Sequence, residues 1–158
     1  MTSPKSMICF VLAFGLAVAP GQADKLELKY ERLNPAIDLL NSSDRNVVRD
    51  AISLLKRGDH LLALSRLAAI KEQNPDNSSL RILASYALLQ AGNLPGAFEE
   101  AEAAHKAPNG SSYKCWFLAK VSLLAGKKDS CRRELEHVKK AGDMVAEVRQ
   151  LEKELEKN

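Results

Sequence analysis

Three glycines, Gly58, Gly92 and Gly126, stand at equal intervals along the chain, and this spacing constrains the fold more than any other feature of the sequence. The period extends to other positions, because a small residue follows each glycine by five positions, another precedes it by seven, and a leucine precedes it by three. Agreement at several offsets indicates an internal repeat, each unit of which is one supersecondary structure. The small residues are Ala51, Ala63, Ser85, Ala97, Ala119 and Cys131.

The residues around each glycine predict a helix end followed by a helix start. Glycine takes the positive φ that terminates a helix, and Asp59, Asn93 or Asp129 follows closely and can cap the next helix. Ser79 and Ser112 are the predicted caps of the helices that open the second and third units. Each unit is therefore predicted to be two helices joined by a tight turn. The predicted helices are 45–57, 60–73, 80–91, 94–106, 113–125 and 130–141.

With this period and these small residues, the chain resembles the tetratricopeptide repeat (TPR) family, whose 34-residue unit places small residues where its two helices cross. The resemblance implies an all-α fold, an α-solenoid of three stacked antiparallel helix pairs at 44–77, 78–111 and 112–145. Three departures are visible. The first two units lack the usual early aromatic residue, Cys131 replaces the common alanine, and the third unit lacks a closing proline.

Segments on both sides of the repeats are predicted to cap the stack, because one helix pair cannot bury its own apolar face. The N-terminal cap is residues 24–43, in which Asn34 and Pro35 begin a short helix. The C-terminal capping helix is residues 146–158. Its apolar stripe runs along Met144, Val148, Leu151 and Leu155.

The segment 1–23 is predicted to be a signal peptide. An apolar run from Ile8 to Ala19 follows the basic Lys5 and precedes small and polar residues. A membrane-spanning helix needs about 20 apolar residues, so no integral membrane segment is expected in the mature chain. We predict cleavage before Asp24, with an uncleaved signal anchor as the alternative. The protein is then exported, to the periplasm or cell envelope of a bacterium or otherwise into the medium.

No arrangement of side chains predicts catalysis, so the chain is expected not to be an enzyme. His60, His105 and His137 fall at different places in their units, and none forms an i, i+4 pair with another histidine or a cysteine. No metal site and no cofactor are therefore predicted. The mature chain is close to neutral, which gives no field that would steer it to nucleic acid.

The cysteines of the third unit leave two possibilities open. An oxidising compartment favours pairing of two thiols. The family geometry implies that Cys115 and Cys131 lie about one helical turn, roughly 5.4 Å, apart along the helix axis, which strains a bridge. Two buried free thiols are therefore favoured over a disulfide, and a redox function is not expected.

The TPR resemblance implies that function resides on a concave groove lined by the first helix of each unit. Residues with an apolar body and a polar tip are favoured at such surfaces, and we expect Tyr86 and Trp116 at the centre. The expected ligand is an extended or helical apolar segment of a partner protein. A homodimer formed through the C-terminal stripe is the alternative. The predicted groove residues are Val48, Ile52, Lys56, Ile82, Tyr86, Gln90, Tyr113, Trp116, Lys120 and Leu124.

Overall fold

The computed structural model describes residues 26–109 and 111–157, and the predicted signal peptide lies outside them. Within these ranges the regular secondary structure is entirely helical, so the predicted all-α class is confirmed. A 3₁₀ turn, Tyr30–Arg32, precedes the α-helices. The α-helices are α1 Asn34–Ile37, α2 Ser42–Arg57, α3 His60–Gln73, α4 Ser78–Gln90, α5 Leu94–Lys106, α6 Tyr113–Leu124, α7 Lys128–Ala141 and α8 Val145–Lys157.

The three glycines end the first helix of each pair in the same way. Gly58, Gly92 and Gly126 have φ of 88°, 81° and 70°. At the first of them, the Gly58 N–H donates to Leu55 O at 3.1 Å and the next N–H donates to Leu54 O at 3.0 Å, and the same pair of bonds recurs at the other two. This Schellman geometry satisfies carbonyls that the helix end would otherwise leave unpaired, and glycine adopts it without strain.

The caps at the helix starts differ in part from the sequence-based expectation. Asn93 caps α5 as predicted, accepting from the Gly96 N–H at 3.0 Å. The cap of α4 is Asn77, whose side chain accepts from the Ser79 and Leu80 N–H groups. Ser79, the predicted cap, lies inside the first turn, and its hydroxyl donates to a carbonyl of the chain preceding α1 instead.

The helices pack as consecutive pairs, α2 with α3, α4 with α5, and α6 with α7, and each pair packs on the next. Short connections between the partners make the pairs antiparallel. The first helices also contact each other in the order α2, α4, α6, α8, whereas α3 and α5 each pack between the first helices on either side. The result is a solenoid-like array whose inner layer consists of first helices.

Small side chains occupy the crossing points within the pairs, as the repeat pattern predicted. Ala63, Ala97 and Cys131 are fully buried, and so are their partners on the first helices, Ala51, Ser85 and Ala119. Helix axes approach to about 8–10 Å only where the contact residues are short. A larger side chain at any of these positions would push the two helices of a pair apart.

The C-terminal helix α8 packs on α6 and α7 of its own chain. Met144, Val148 and Leu151 of the predicted stripe are buried, and Leu155 packs partly buried against the same core. The Lys139 ammonium lies 2.6 Å from Glu152 Oε1 across the α7–α8 contact. The stripe therefore covers the last helix pair. In the described ranges, no helix has the length and apolarity that crossing a membrane requires.

Candidate functional site

The inner layer is crossed by residues 26–40, here called the N-terminal segment. Leu26, Leu28 and Leu33 of this segment are buried. Residues 26–29 have no helical structure and lie against the first helices before the 3₁₀ turn begins. The chain thus lays its own polypeptide on the surface that was predicted to bind a partner.

Hydrogen bonds to backbone groups hold the N-terminal segment in place. The Lys29 N–H donates to the Tyr113 hydroxyl oxygen at 3.0 Å. The Ser79 hydroxyl donates to Leu33 O at 2.8 Å, and the Asn77 side-chain amide donates to Ala36 O at 2.7 Å. Because these bonds involve main-chain atoms of the segment, they depend little on its side chains.

Charged and aromatic contacts extend this attachment to both ends of the array. The Lys29 ammonium pairs with Glu147 of α8, and Arg32 lies 3.8 Å from Asp143. At the other end, Lys56 Nζ lies 4.9 Å from the centre of the Tyr30 ring. The segment therefore contacts α2, α4, α6 and the C-terminal cap, and it links these elements to one another.

The ten predicted groove residues do not form one open surface. Five of them are buried by neighbouring parts of the same chain, and Tyr113 bonds the N-terminal segment directly. Lys120 is buried because α8 packs beside it and supplies Glu154 as its ion partner. The buried residues are Val48, Ile82, Tyr113, Trp116 and Lys120, and those that remain partly or fully exposed are Ile52, Lys56, Tyr86, Gln90 and Leu124.

Trp116, expected at the centre of the groove, is 8% exposed and belongs to the core. Its ring stacks on Tyr113 with centroids 5.4 Å apart. The indole Nε1–H is buried and has no acceptor among the described residues.

Burial raises the pKa of Tyr113. The pKa of Tyr30 is raised to about 12, mainly by burial and to a smaller extent by the nearby Tyr86 hydroxyl. These phenols stay protonated and act as packing and hydrogen-bonding groups.

A second cluster lies where α5, α6 and α7 meet, away from the predicted groove residues. His105 Nδ1 and His137 Nδ1 each lie 3.3 Å from the same oxygen of Glu134, Oε2. The Cys115 sulfur lies 3.5 Å from His105 Nδ1. No metal site was predicted from these histidines. The fold nevertheless places one potential ligand atom each from His105, Glu134 and His137 within 4.8 Å of one another.

One signal in the sequence points to this cluster when equivalent positions of successive units are compared. His105, Cys115 and Glu134 stand one repeat after Lys71, Arg81 and Glu100. The earlier three also meet, because Lys71 pairs with one carboxylate oxygen of Glu100 and Arg81 Nη1 lies 3.2 Å from the other, Oε2. We call Lys71, Arg81 and Glu100 the first junction, and His105, Cys115, Glu134 and His137 the second junction.

The two cysteines of the described chain are free thiols, Cys131 buried and Cys115 half-buried. Burial raises the pKa of Cys131 to about 11. Burial and then the nearby Glu134 carboxylate raise the pKa of Cys115. A thiol with a raised pKa is a poor nucleophile, since the thiolate is the reactive form. The surroundings of both cysteines therefore favour packing over nucleophilic chemistry.

The helices and their packing in neighbouring pairs define the described chain as an all-α, solenoid-like array. Comparison of the sequence with models of protein families gave no match, and a search among curated proteins gave none either.

Proposed function

We propose that the chain is a TPR-like protein-interaction module whose concave groove binds a segment of a partner protein. The observation that supports this most directly is that the groove side already holds polypeptide, the N-terminal segment, which begins with a non-helical stretch. Hydrogen bonds from the segment's main chain to Tyr113 and Ser79, together with three buried leucines, hold it there. A surface that binds one apolar segment through its main chain has the chemistry to bind another.

We propose that the partner segment binds beside the N-terminal segment, at the groove residues that stay partly or fully exposed. Ile52 and Leu124 offer apolar surface there, and Lys56, Tyr86 and Gln90 offer polar groups. This composition suits a mainly apolar peptide or helix with a few hydrogen-bonding groups.

A carboxylate clamp is not proposed for this groove. Val48 and Ile52 stand at the positions where TPR proteins that hold a terminal carboxylate carry lysine and asparagine. Neither aliphatic side chain can donate a hydrogen bond to a carboxylate. The ligand is therefore expected to be held through its apolar side chains and its main chain.

The proposal includes export, with a mature chain that begins at Asp24. Cleavage there leaves every described contact of the N-terminal segment intact, because the segment starts at Leu26. N-terminal sequencing or intact mass of the secreted form tests this part. Full-length protein that begins at Met1 in a membrane pellet would reject the cleavage. The module is proposed to bind protein, and catalysis and nucleic-acid binding form no part of the proposal.

A homodimer formed through α8 was the alternative function. The stripe it would use is already covered, because Met144, Val148 and Leu151 are buried against the same chain. A capping role predicts that removal of residues 144–158 lowers stability and leaves the mass in solution that of a monomer. Light scattering of the full and truncated proteins separates the two functions, since a pairing role predicts a dimer that becomes a folded monomer.

Site-specific photo-crosslinking tests the groove. A photoreactive residue replaces Tyr86 in one protein and Ala69, an exposed residue of α3, in the control. A discrete crosslinked partner from the exported fraction is expected only with the label at position 86. The same pattern from both positions, or no adduct from position 86, would count against the groove.

The pair Tyr86→Ala and Trp116→Ala then distinguishes binding from packing. Loss of a hot-spot aromatic weakens binding by about 2 kcal/mol or more, a factor of roughly 30 in affinity. Tyr86→Ala is expected to behave in this way and to lose less stability than Trp116→Ala, because Tyr86 is only partly buried against the core. Trp116→Ala is expected to lose about 3–5 kcal/mol of stability instead, because its ring is buried. Titration of the identified partner and circular-dichroism melts of the same samples read both effects.

A further inference from the structure

The geometry points to a Zn²⁺ site at the second junction, formed by His105, Glu134 and His137. The ligands come from two helices, α5 and α7, that both pack against α6, and Glu134 and His137 stand at i and i+3 on one face of α7. Two imidazoles and a carboxylate are a donor set that zinc uses in proteins, with its remaining position filled by water or a further side chain.

The distances from the two histidine nitrogens to the Glu134 oxygen fit such an ion. Zinc binds nitrogen and oxygen at about 2.0–2.1 Å and sulfur at about 2.3 Å, so neighbouring ligand atoms of a tetrahedral site lie about 3.3–3.6 Å apart. The two histidine nitrogens are each 3.3 Å from the Glu134 oxygen. The Cys115 sulfur is 3.5 Å from His105 Nδ1, which places a thiol beside the proposed first ligand.

The charges of the cluster favour a bound cation. The Glu134 side chain is 3% exposed, and the guanidinium that approaches it, from Arg133, belongs to a side chain that is 63% exposed. A buried carboxylate is costly unless it is paired. Imidazoles pair with it fully only when protonated, and the rings of His105 and His137 stack with centroids 6.0 Å apart, so two imidazolium charges there would repel each other. One divalent ion neutralises the carboxylate and uses both rings in their uncharged form.

The first junction shows that a carboxylate at this position of the array does not by itself need a metal. Glu100 stands one repeat before Glu134 and is paired with Lys71 and Arg81. At the second junction, histidine replaces the lysine and cysteine replaces the arginine, and His137 stands where the preceding unit has Ala103. Two cations have been exchanged for two side chains that bind metals, and a third ligand has been added.

The site is accessible from solvent. The side chains of His105 and His137 are 29% and 46% exposed, so an ion reaches them without displacing the helices. Exposure also makes His137 a suitable position to mutate, because shortening it removes little of the core.

Calorimetric titration of the purified, reduced and tag-free protein with zinc chloride tests the site. We expect one equivalent of Zn²⁺ to bind. His137→Ala should weaken binding about 100-fold or more, since loss of even an outer-shell partner of a metal costs 10–100-fold. His60 on α3 is the one histidine of the described chain outside the proposed site, and His60→Ala should leave the affinity unchanged.

Absorption of the Co²⁺-substituted protein provides the second measurement. Intense visible bands typical of tetrahedral cobalt should appear in the parent and in His60→Ala, and should be lost in His137→Ala. Absence of zinc binding by the folded parent, or equal affinity in the parent and His137→Ala, would overturn the assignment. Circular dichroism of each variant establishes that the proteins compared are folded.

Discussion

The two junctions occupy the same place in successive helix pairs. Each contains a glutamate at the equivalent position, but the side chains that contact this glutamate differ in chemistry. At the first junction, Glu100 is held by a lysine from the preceding pair and an arginine from its own pair's first helix. At the second, Glu134 faces two histidines, with a thiol beside one of them. The residues stand at equivalent positions of successive units, and the difference between the junctions lies in their side chains.

A solenoid can thus vary the chemistry of a contact without changing its packing. The small residues that set the helix crossings, Ala97 in one pair and Cys131 in the next, are fully buried in both. Several side chains at the junctions are only partly buried and are therefore less constrained by volume. Substitutions at such positions can replace an ion pair with a set of metal ligands while the packing of the helices around them stays the same.

The largest effect is expected when the second junction is converted to the first. The double variant His105→Lys with Cys115→Arg supplies two cations to Glu134 and removes a metal ligand. Zinc at 100 times its dissociation constant stabilises the parent by about 2.7 kcal/mol, and this increment should vanish in the variant. Thermal melts with and without zinc measure it. When a chelator is present, neither the variant nor the parent should show the stabilisation by zinc.

The reverse conversion provides the control for this experiment. Lys71→His, Arg81→Cys and Ala103→His rebuild the ligand set at the first junction. A second equivalent of zinc is expected in calorimetry. Two results together would show that the junctions are not chemically equivalent positions: zinc still stabilises the double variant, and the triple variant binds one equivalent of zinc instead of two.

The next effect concerns the shared packing on which the comparison rests. Ala97→Leu adds volume at a crossing that is fully buried and should destabilise the protein by about 1–3 kcal/mol through overpacking. Ala63→Leu, in the preceding pair, should behave alike. Ala69→Leu is the matched control, because Ala69 is exposed on α3. Urea unfolding measures all three. Equal stability of the crossing variants and the control would mean that the register of the pairs differs from that described.

The smallest effect compares the two carboxylates directly. Glu100→Gln leaves the ammonium of Lys71 and the guanidinium of Arg81 partly buried without their counter-charge, and should cost about 1.5 kcal/mol, as loss of a hydrogen bond to a charged group does. Glu134→Gln, measured with a chelator present, should cost less, because the imidazoles can remain uncharged and the cationic partner that is left, Arg133, is largely exposed to water. Larger destabilisation by Glu134→Gln than by Glu100→Gln would indicate that both histidines are charged partners.

The helices and their pairing were predictable from the sequence because they depend on local chemistry that repeats. All six paired helices lie where they were predicted, with their bounds shifted by less than one turn. The positive φ at Gly58 and its counterparts, and the burial of the small residues, follow from the needs of a tight turn and a close helix crossing. Such requirements act within one or two helices, so they are visible as spacing along the chain.

The candidate sites were less predictable because they depend on segments far apart in the chain. Ser79 was predicted to cap a helix, yet its hydroxyl bonds the distant Leu33 carbonyl. Trp116 and Tyr113 were assigned to an open groove and are buried, Tyr113 in contact with the N-terminal segment. No local pattern in the sequence before α2 predicts that this segment packs against the inner layer.

The histidine cluster shows the same division between sequence and tertiary structure. The sequence by itself determined that His105 and His137 lie on second helices of neighbouring pairs, at different places in their units. Only the packing of α5 and α7 against α6 decided that both rings reach one oxygen of Glu134. The physical reason is that side chains from two helices converge according to the rotation of each helix about its axis. That rotation is set by how all the pairs pack together, and spacing along the chain does not reveal it.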